Sequence, residues 1–174
     1  MRGDLALQVR LLTRPRGVLG MAAVLAGTAA TVAVYLPWYE VRATVTMLGH
    51  ARARTVAALP GWQAQPWVWT IAALAVVSVV VGLSLAVDRP ARSASKVLIV
   101  VGVGIAAISA ASAALRPPQG RFRGQQQFDE LHAVISAVPE DVTVGFSVHP
   151  TTGLWVALGA AAVLLTSALT TGGE

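Results

Sequence analysis

Four long stretches of this chain carry no charged side chain, and that feature limits the available folds more than any other. They run over residues 17–36, 67–87, 97–115 and 153–171 and contain no Asp, Glu, Lys, Arg or His. Each is 19–21 residues long. At about 1.5 Å per residue, a helix of that length matches the roughly 30 Å hydrocarbon core of a bilayer. Strands are excluded here, because an open strand edge leaves backbone N–H and C=O groups without partners in lipid. The pattern predicts an all-α membrane fold, a bundle of four transmembrane helices. Composition agrees: 55% of the 174 residues are hydrophobic and only 12% are charged, against about 25% charged in soluble domains.

The first block follows a basic segment (Arg2, Arg10, Arg14 and Arg16), as the apolar core of a signal peptide would. Such cores run about 7–15 residues, whereas this block is longer and leads into Tyr35-Leu36-Pro37-Trp38. It is expected to stay as a membrane helix with an interfacial anchor at its end.

Arginine and lysine density predicts direction, because basic residues concentrate in cytoplasmic segments. The tail 1–16 holds four, and the short link 88–96 holds Arg89, Arg92 and Lys96. The longer connections are poorer for their length: 37–66 holds Arg42, Arg52 and Arg54, and 116–152 holds Arg116, Arg121 and Arg123. Both termini, including the end at 172–174, are therefore expected in the cytoplasm of a bacterial cell membrane, with two external loops. Trp38, Trp62, Trp67, Trp69 and Trp155, with Tyr35 and Tyr39, all fall near the predicted external helix ends. Amphipathic rings favour the headgroup level, so an aromatic belt is the first expectation for them.

The external loops have patterns of their own. Val41, Ala43, Val45 and Met47 alternate with Arg42, Thr44 and Thr46, the period of a half-buried strand. A turn near Gly49 and His50 would start a second strand around Arg54–Leu59, and Pro60-Gly61 would return the chain to the membrane. In the second loop Pro117 and Pro118 stop helix three. Phe128, Leu131, Val134, Ile135 and Val138 then stand at i, i+3, i+4 spacings, which predicts an amphipathic helix over 125–138. Val142, Val144, Phe146 and Val148 alternate with polar and small residues up to Pro150, which predicts another strand over 142–148. A small extracytoplasmic α+β cap is expected, with strands of both loops in one antiparallel sheet.

The function classes narrow by what such chemistry requires. The net charge of +5 belongs to arginines flanking apolar blocks and not to a basic face interleaved with aromatics, so no nucleic acid is expected as a partner. Proton- or ion-coupled transport and voltage sensing use ionisable groups within the membrane, and the blocks have none. The chain has no cysteine and only three scattered histidines, His50, His132 and His149, so no metal site or disulfide is expected. Asp129-Glu130 and Glu140-Asp141 read as solvated acids at a helix start and a turn. Serines and threonines are plentiful, but no G-x-S-x-G elbow or S-x-x-K motif places one as a nucleophile, and Gly-rich phosphate loops are missing. No enzyme activity and no cofactor are expected. Small residues four apart in the blocks, Ala23, Gly27 and Thr31, with the poorer pair Gly159 and Val163, suit close helix packing, within the chain or against a partner.

An arginine-bearing tail, a helix ending in Leu36-Pro37-Trp38, a Trp-rich first loop, and Thr152-Gly153-Leu154-Trp155 running through Gly159 into the last helix resemble small actinobacterial four-helix membrane proteins. The tryptophan-biosynthesis-associated membrane protein family is among these. An arginine-rich, alanine-, valine- and glycine-rich composition fits such a source. The arginine-tryptophan and tyrosine patterns expected between helices three and four are missing, and the resemblance implies no activity. Claudin-like tetraspan proteins offer an architectural analogy, though their first-loop cysteine pair is absent.

The leading expectation is a non-enzymatic membrane protein, an accessory or assembly subunit that contacts a larger membrane complex as well as the lipid bilayer. The alternative is a binder of a lipid-like small molecule in a pocket beneath the cap. Trp38, Trp62, Trp67, Trp69 and Phe146 are the candidate lining, and Trp155 is a further candidate interface residue.

Overall fold

The computed structural model describes residues 15–47, 50–87, 93–114 and 142–172. Four helices long and apolar enough to cross a bilayer dominate it: α1 (Pro15–Tyr35), α2 (Trp69–Ala86), α3 (Ala94–Ala114) and α4 (Thr152–Gly172). A three-stranded antiparallel sheet accompanies them, built from β1 (Pro37–Met47), β2 (His50–Pro60) and β3 (Val142–Pro150) in the order β2-β1-β3. The sheet joins the α1–α2 connection to the segment entering α4. The amphipathic segment 125–138 lies outside the described residues, as does the turn at Leu48-Gly49.

Each helix packs against its sequence neighbours and α1 also meets α4, which closes a four-membered ring. Contact between α2 and α3 is the least extensive of the four. The seams follow a repeat of four and three residues. In α2 the buried positions are Ile71, Ala75, Ser78, Gly82 and Leu85; in α3 they include Leu98, Val101, Ile105, Ser109 and Ser112. A mean spacing of 3.5 residues keeps one stripe facing a neighbour along a left-handed bundle.

Between helices in lipid there is little hydrophobic drive, so close packing of small residues has to hold them. At the α1–α2 seam, a Cβ on Gly20 would lie 2.6 Å from the Gly82 carbonyl oxygen, and one on Gly82 would lie 2.7 Å from that of Gly20. One turn pair further on, a Cβ on Gly27 would meet Ser78 Oγ at 2.2 Å and the Ala75 carbonyl oxygen at 2.8 Å. The expected Ala23/Gly27 surface thus faces α2. Gly159 does not serve a seam: it is exposed, and a Cβ there would meet nothing within 4 Å. Ser95 Oγ donates to the Ala168 carbonyl oxygen at 2.9 Å and ties the start of α3 to the end of α4.

The sheet grows directly out of the bundle, with Leu36 alone between α1 and β1. β1 therefore starts four residues before the alternation at Val41, at the proline that a helix could not continue. Eleven residues at about 3.3 Å each carry β1 roughly 35 Å from its start. The β1–β2 pairing slips twice, first between Pro37 and Tyr39 and again between Val41 opposite Ala57 and Arg42 opposite Thr55. One extra residue in a strand exchanges the faces of everything beyond it. The second slip places Arg54 and Arg52 on the face of Ala43 and Val45, to which they stand opposite.

The glycine seam gives a contrast. Gly82→Leu is expected to destabilise the bundle by about 1–3 kcal/mol through overpacking, whereas Gly159→Leu should change stability by less than about 0.5 kcal/mol. Denaturant titration of both variants in mild detergent checks this; equal losses would contradict the seam.

Candidate functional site at the junction of sheet and bundle

Pro37 removes a backbone N–H that would have bonded the Ala33 carbonyl oxygen in a continuing helix. Trp38 supplies the replacement: its indole Nε1–H donates to that oxygen at 2.7 Å. The ring is 0% exposed. Two glycines from distant segments lie against it. A Cβ on Gly61 would come 2.7 Å from Trp38 Nε1, and one on Gly153 would come 2.5 Å from Trp38 Cδ1. The backbone is tied at the same place. Gly61 N–H donates to the Leu36 carbonyl oxygen at 3.2 Å, and Thr151 N–H donates to that of Trp38 at 2.9 Å. Thr151 Oγ1 donates to the Pro37 carbonyl oxygen at 2.6 Å. The end of α1, the return from β2 and the entry to α4 thus meet on one indole.

Beside this junction is a buried polar cluster. The Tyr39 hydroxyl donates to the Ser112 carbonyl oxygen near the end of α3. Ser112 Oγ donates to Gln65 Oε1 at 2.8 Å and accepts from Trp67 Nε1 at 3.3 Å. Gln65 lies between a single helical turn at Gly61–Ala64 and a 3-10 turn at Pro66–Val68. That irregular backbone turns its side chain inward, where it is 2% exposed. Two polar atoms here are buried without a hydrogen-bond partner: Gln65 Nε2 and Ser109 Oγ. Burial raises the Tyr39 pKa above its ordinary 10.0, because a phenolate would lose its hydration there.

The expected site residues separate. Trp38 is a fully buried packing residue and not an exposed ring of an aromatic belt. Trp62, Trp67, Trp69 and Trp155 keep 40–62% of their surface exposed, and Trp69 makes an edge-to-face contact with Tyr35 at 6.1 Å. Of these, Trp67 alone is described reaching the polar cluster. Phe146 stands in β3 opposite Ala43, a register position on the far side of the sheet from β2. His50 lies in β2, and His149 Nε2 sits 3.0 Å from Ser147 Oγ. Among the described residues no group of His, Cys, Asp or Glu could hold a metal ion.

Gln65, Ser109 and Ser112 escaped sequence reasoning and Tyr39 was expected only in the aromatic belt, yet one signal was present. Ser109 and Ser112 stand seven residues after Gly102 and Ile105, so the buried stripe of α3 runs through them. No family model and no curated protein matches this chain.

Tyr39 generates a pH prediction. Its raised folded-state pKa means that the neutral phenol stabilises the fold below pH 10.0, and this contribution is lost as pH rises through the folded-state value. Tyr39→Phe should cost about 1 kcal/mol at neutral pH through the lost hydrogen bond, with a gap to wild type that narrows as pH climbs above 10. Melting curves of both proteins across alkaline pH measure it, and a constant gap would contradict the assignment.

Proposed function

We propose that this chain is a non-enzymatic accessory or assembly subunit of a larger membrane complex. In this reading it is fixed in a bacterial cell membrane with both termini in the cytoplasm, and it presents its sheet outside as the contact surface. The observation that supports it best is the sheet itself, joined to the bundle by Trp38 and bearing an exposed cationic edge. In β2, residues 50–55 are exposed; Arg52 and Arg54 share one face, and the strand has no acidic residue. Arg42 differs, since Glu40 lies 3.6 Å from it on the central strand.

Orientation follows from charge. Lys96 stands at the start of α3, at the end of the bundle away from the sheet, and the arginine-dense segments 1–16 and 88–96 lead into α1 and α3 in the sequence. Positive-inside topology then puts the sheet outside. Arg54 and Arg52 stand six and eight residues from the membrane-proximal Pro60, about 20–26 Å along the strand. In this reading the strand rises away from the bilayer, which sets both arginines beyond a Debye length of about 10 Å from the lipid surface. They fit an acid-bearing, extracytoplasmic surface of a partner membrane protein better than they fit lipid headgroups. Edge strands also recruit partners through unpaired backbone groups.

Arg52→Glu with Arg54→Glu should leave the fold and membrane insertion intact while reducing co-purification of the complex from native membranes at least about tenfold. Single reversals would give intermediate losses, and high salt should mimic the double variant because exposed charge pairs are screened. A photo-crosslinker at Ala53 should capture a discrete partner that one at lipid-facing Val163 does not. A monodisperse monomer from native membranes, with no partner sensitive to these charges, would count against the reading.

A further inference from the structure

Of the two outer strands of the sheet, β2 is the one whose side chains define a partner. Among the described residues it pairs with β1 alone, so its other edge presents backbone N–H and C=O groups outward. Its register with β1 is continuous from Arg42↔Thr55 to Met47↔His50, and every residue over 50–55 is exposed. Neither a proline nor a bulge blocks the addition of another strand there. Charge on this stretch is unmet. Arg54 and Arg52 stand opposite Ala43 and Val45, whose side chains offer no acceptor. Glu40 is the one acid among the described residues. Alternation along β1 places it on the opposite face, where it lies 3.6 Å from Arg42. A second copy does not supply the missing charge. Two β2 edges joined about a two-fold axis normal to the sheet would set arginines opposite arginines, and like charges so placed destabilise a strand pair. The edge excludes its own kind and is open to an acidic one.

We propose that the outer edge of β2 over residues 50–55 receives an extended segment of the partner protein with acids at alternate positions, Asp/Glu-x-Asp/Glu. This rests on the accessory reading above and specifies the partner's surface. Arg52 and Arg54 are two residues apart on one face, roughly 6.6 Å along the strand. Alternate residues of an added antiparallel strand repeat at the same interval on the same face. Each acid then stands directly opposite one arginine, at a Cβ separation of about 4.5–5.5 Å. Main-chain hydrogen bonds supply the affinity, and the two charge pairs fix the register and the choice of partner. On the other face Ala51 and Ala53 present little bulk to an approaching backbone.

The full chain in lipid nanodiscs is titrated with short fluorescent peptides, and binding is read by anisotropy. One peptide alternates glutamate with threonine and valine; a second has the same composition with its glutamates adjacent. Saturable binding of the first is expected, at least about tenfold tighter than the second. Two further copies of the first carry backbone N-methyl groups, one at the glutamates and one at the intervening residues. Successive N–H groups of a strand point to opposite edges. One methylated copy should therefore lose at least about tenfold in affinity and the other should bind as the parent, a difference that charge alone does not produce. Arg52→Ala with Arg54→Ala should abolish binding with an unchanged melting temperature, and Arg42→Ala, on the other face, should bind as wild type. The proposal is overturned if no peptide saturates, if glutamate spacing makes no difference, or if both methylated copies bind alike. A native complex that depends on both arginines, together with any of those results, keeps the accessory role and rejects the strand. Phase-selective peptide binding without such a complex keeps the strand site and rejects the accessory role.

Discussion

The hydrogen bond from the Trp38 indole to the Ala33 carbonyl oxygen holds the two halves of this molecule together. A helix that ends at proline deprives a carbonyl oxygen of its usual i+4 donor. At Ala33 only a longer 3.3 Å bond from the Leu36 N–H would remain, in an apolar setting where a poorly met polar group is costly. Most helices meet this with a cap or with water. Here the residue after the proline turns a large ring back over the last turn, so the strand that follows leaves in a fixed direction. Because the ring is fully buried, its surroundings must be close-fitting, and only glycine fits at 61 and 153. The two remaining chain passages are thereby fixed against the first.

The rest of the structure divides around that point. On the membrane side, helices approach through Gly20, Gly27 and Gly82, and polar groups occur mainly as serines on the buried stripes. On the other side, β1 pairs along its length with both neighbours, with slips only on the β2 side, and gives a thin sheet whose cationic edge strand stays exposed. Polar atoms concentrate where the two materials meet, because the irregular backbone around Gln65 and the end of α3 both leave groups that need partners. That concentration makes the junction the chemically distinctive part of an otherwise apolar molecule.

Much of this was legible in the sequence. Uncharged runs of 19–21 residues admit only helices in lipid, and the alternation at Val41–Met47 and Val142–Val148 marks strands that share a sheet. The site was less legible. A tryptophan after a helix-ending proline looks the same whether it faces lipid or turns inward, and the deciding glycines stand 23 and 115 residues away. The strand slip at Val41/Arg42, which sets the face of Arg52 and Arg54, depends on pairing geometry that alternation alone does not encode. Gln65 hid between two tryptophans that looked interfacial. Ser109 and Ser112 were readable only by continuing the heptads of Gly102 and Ile105 into a span whose apolar average concealed them.

The central claim is that sheet and bundle form one rigid body through Trp38. The chain has no cysteine, so two engineered cysteines can carry spin labels without background. Pulsed electron–electron distance measurement between labels at Arg52 in β2 and Val163 on the exposed side of α4, in lipid nanodiscs, reads the coupling directly. A single narrow distance distribution is predicted, broadening when Trp38→Ala is added. A broad or bimodal distribution in the otherwise native protein would show that the sheet swings independently, and the account would fail.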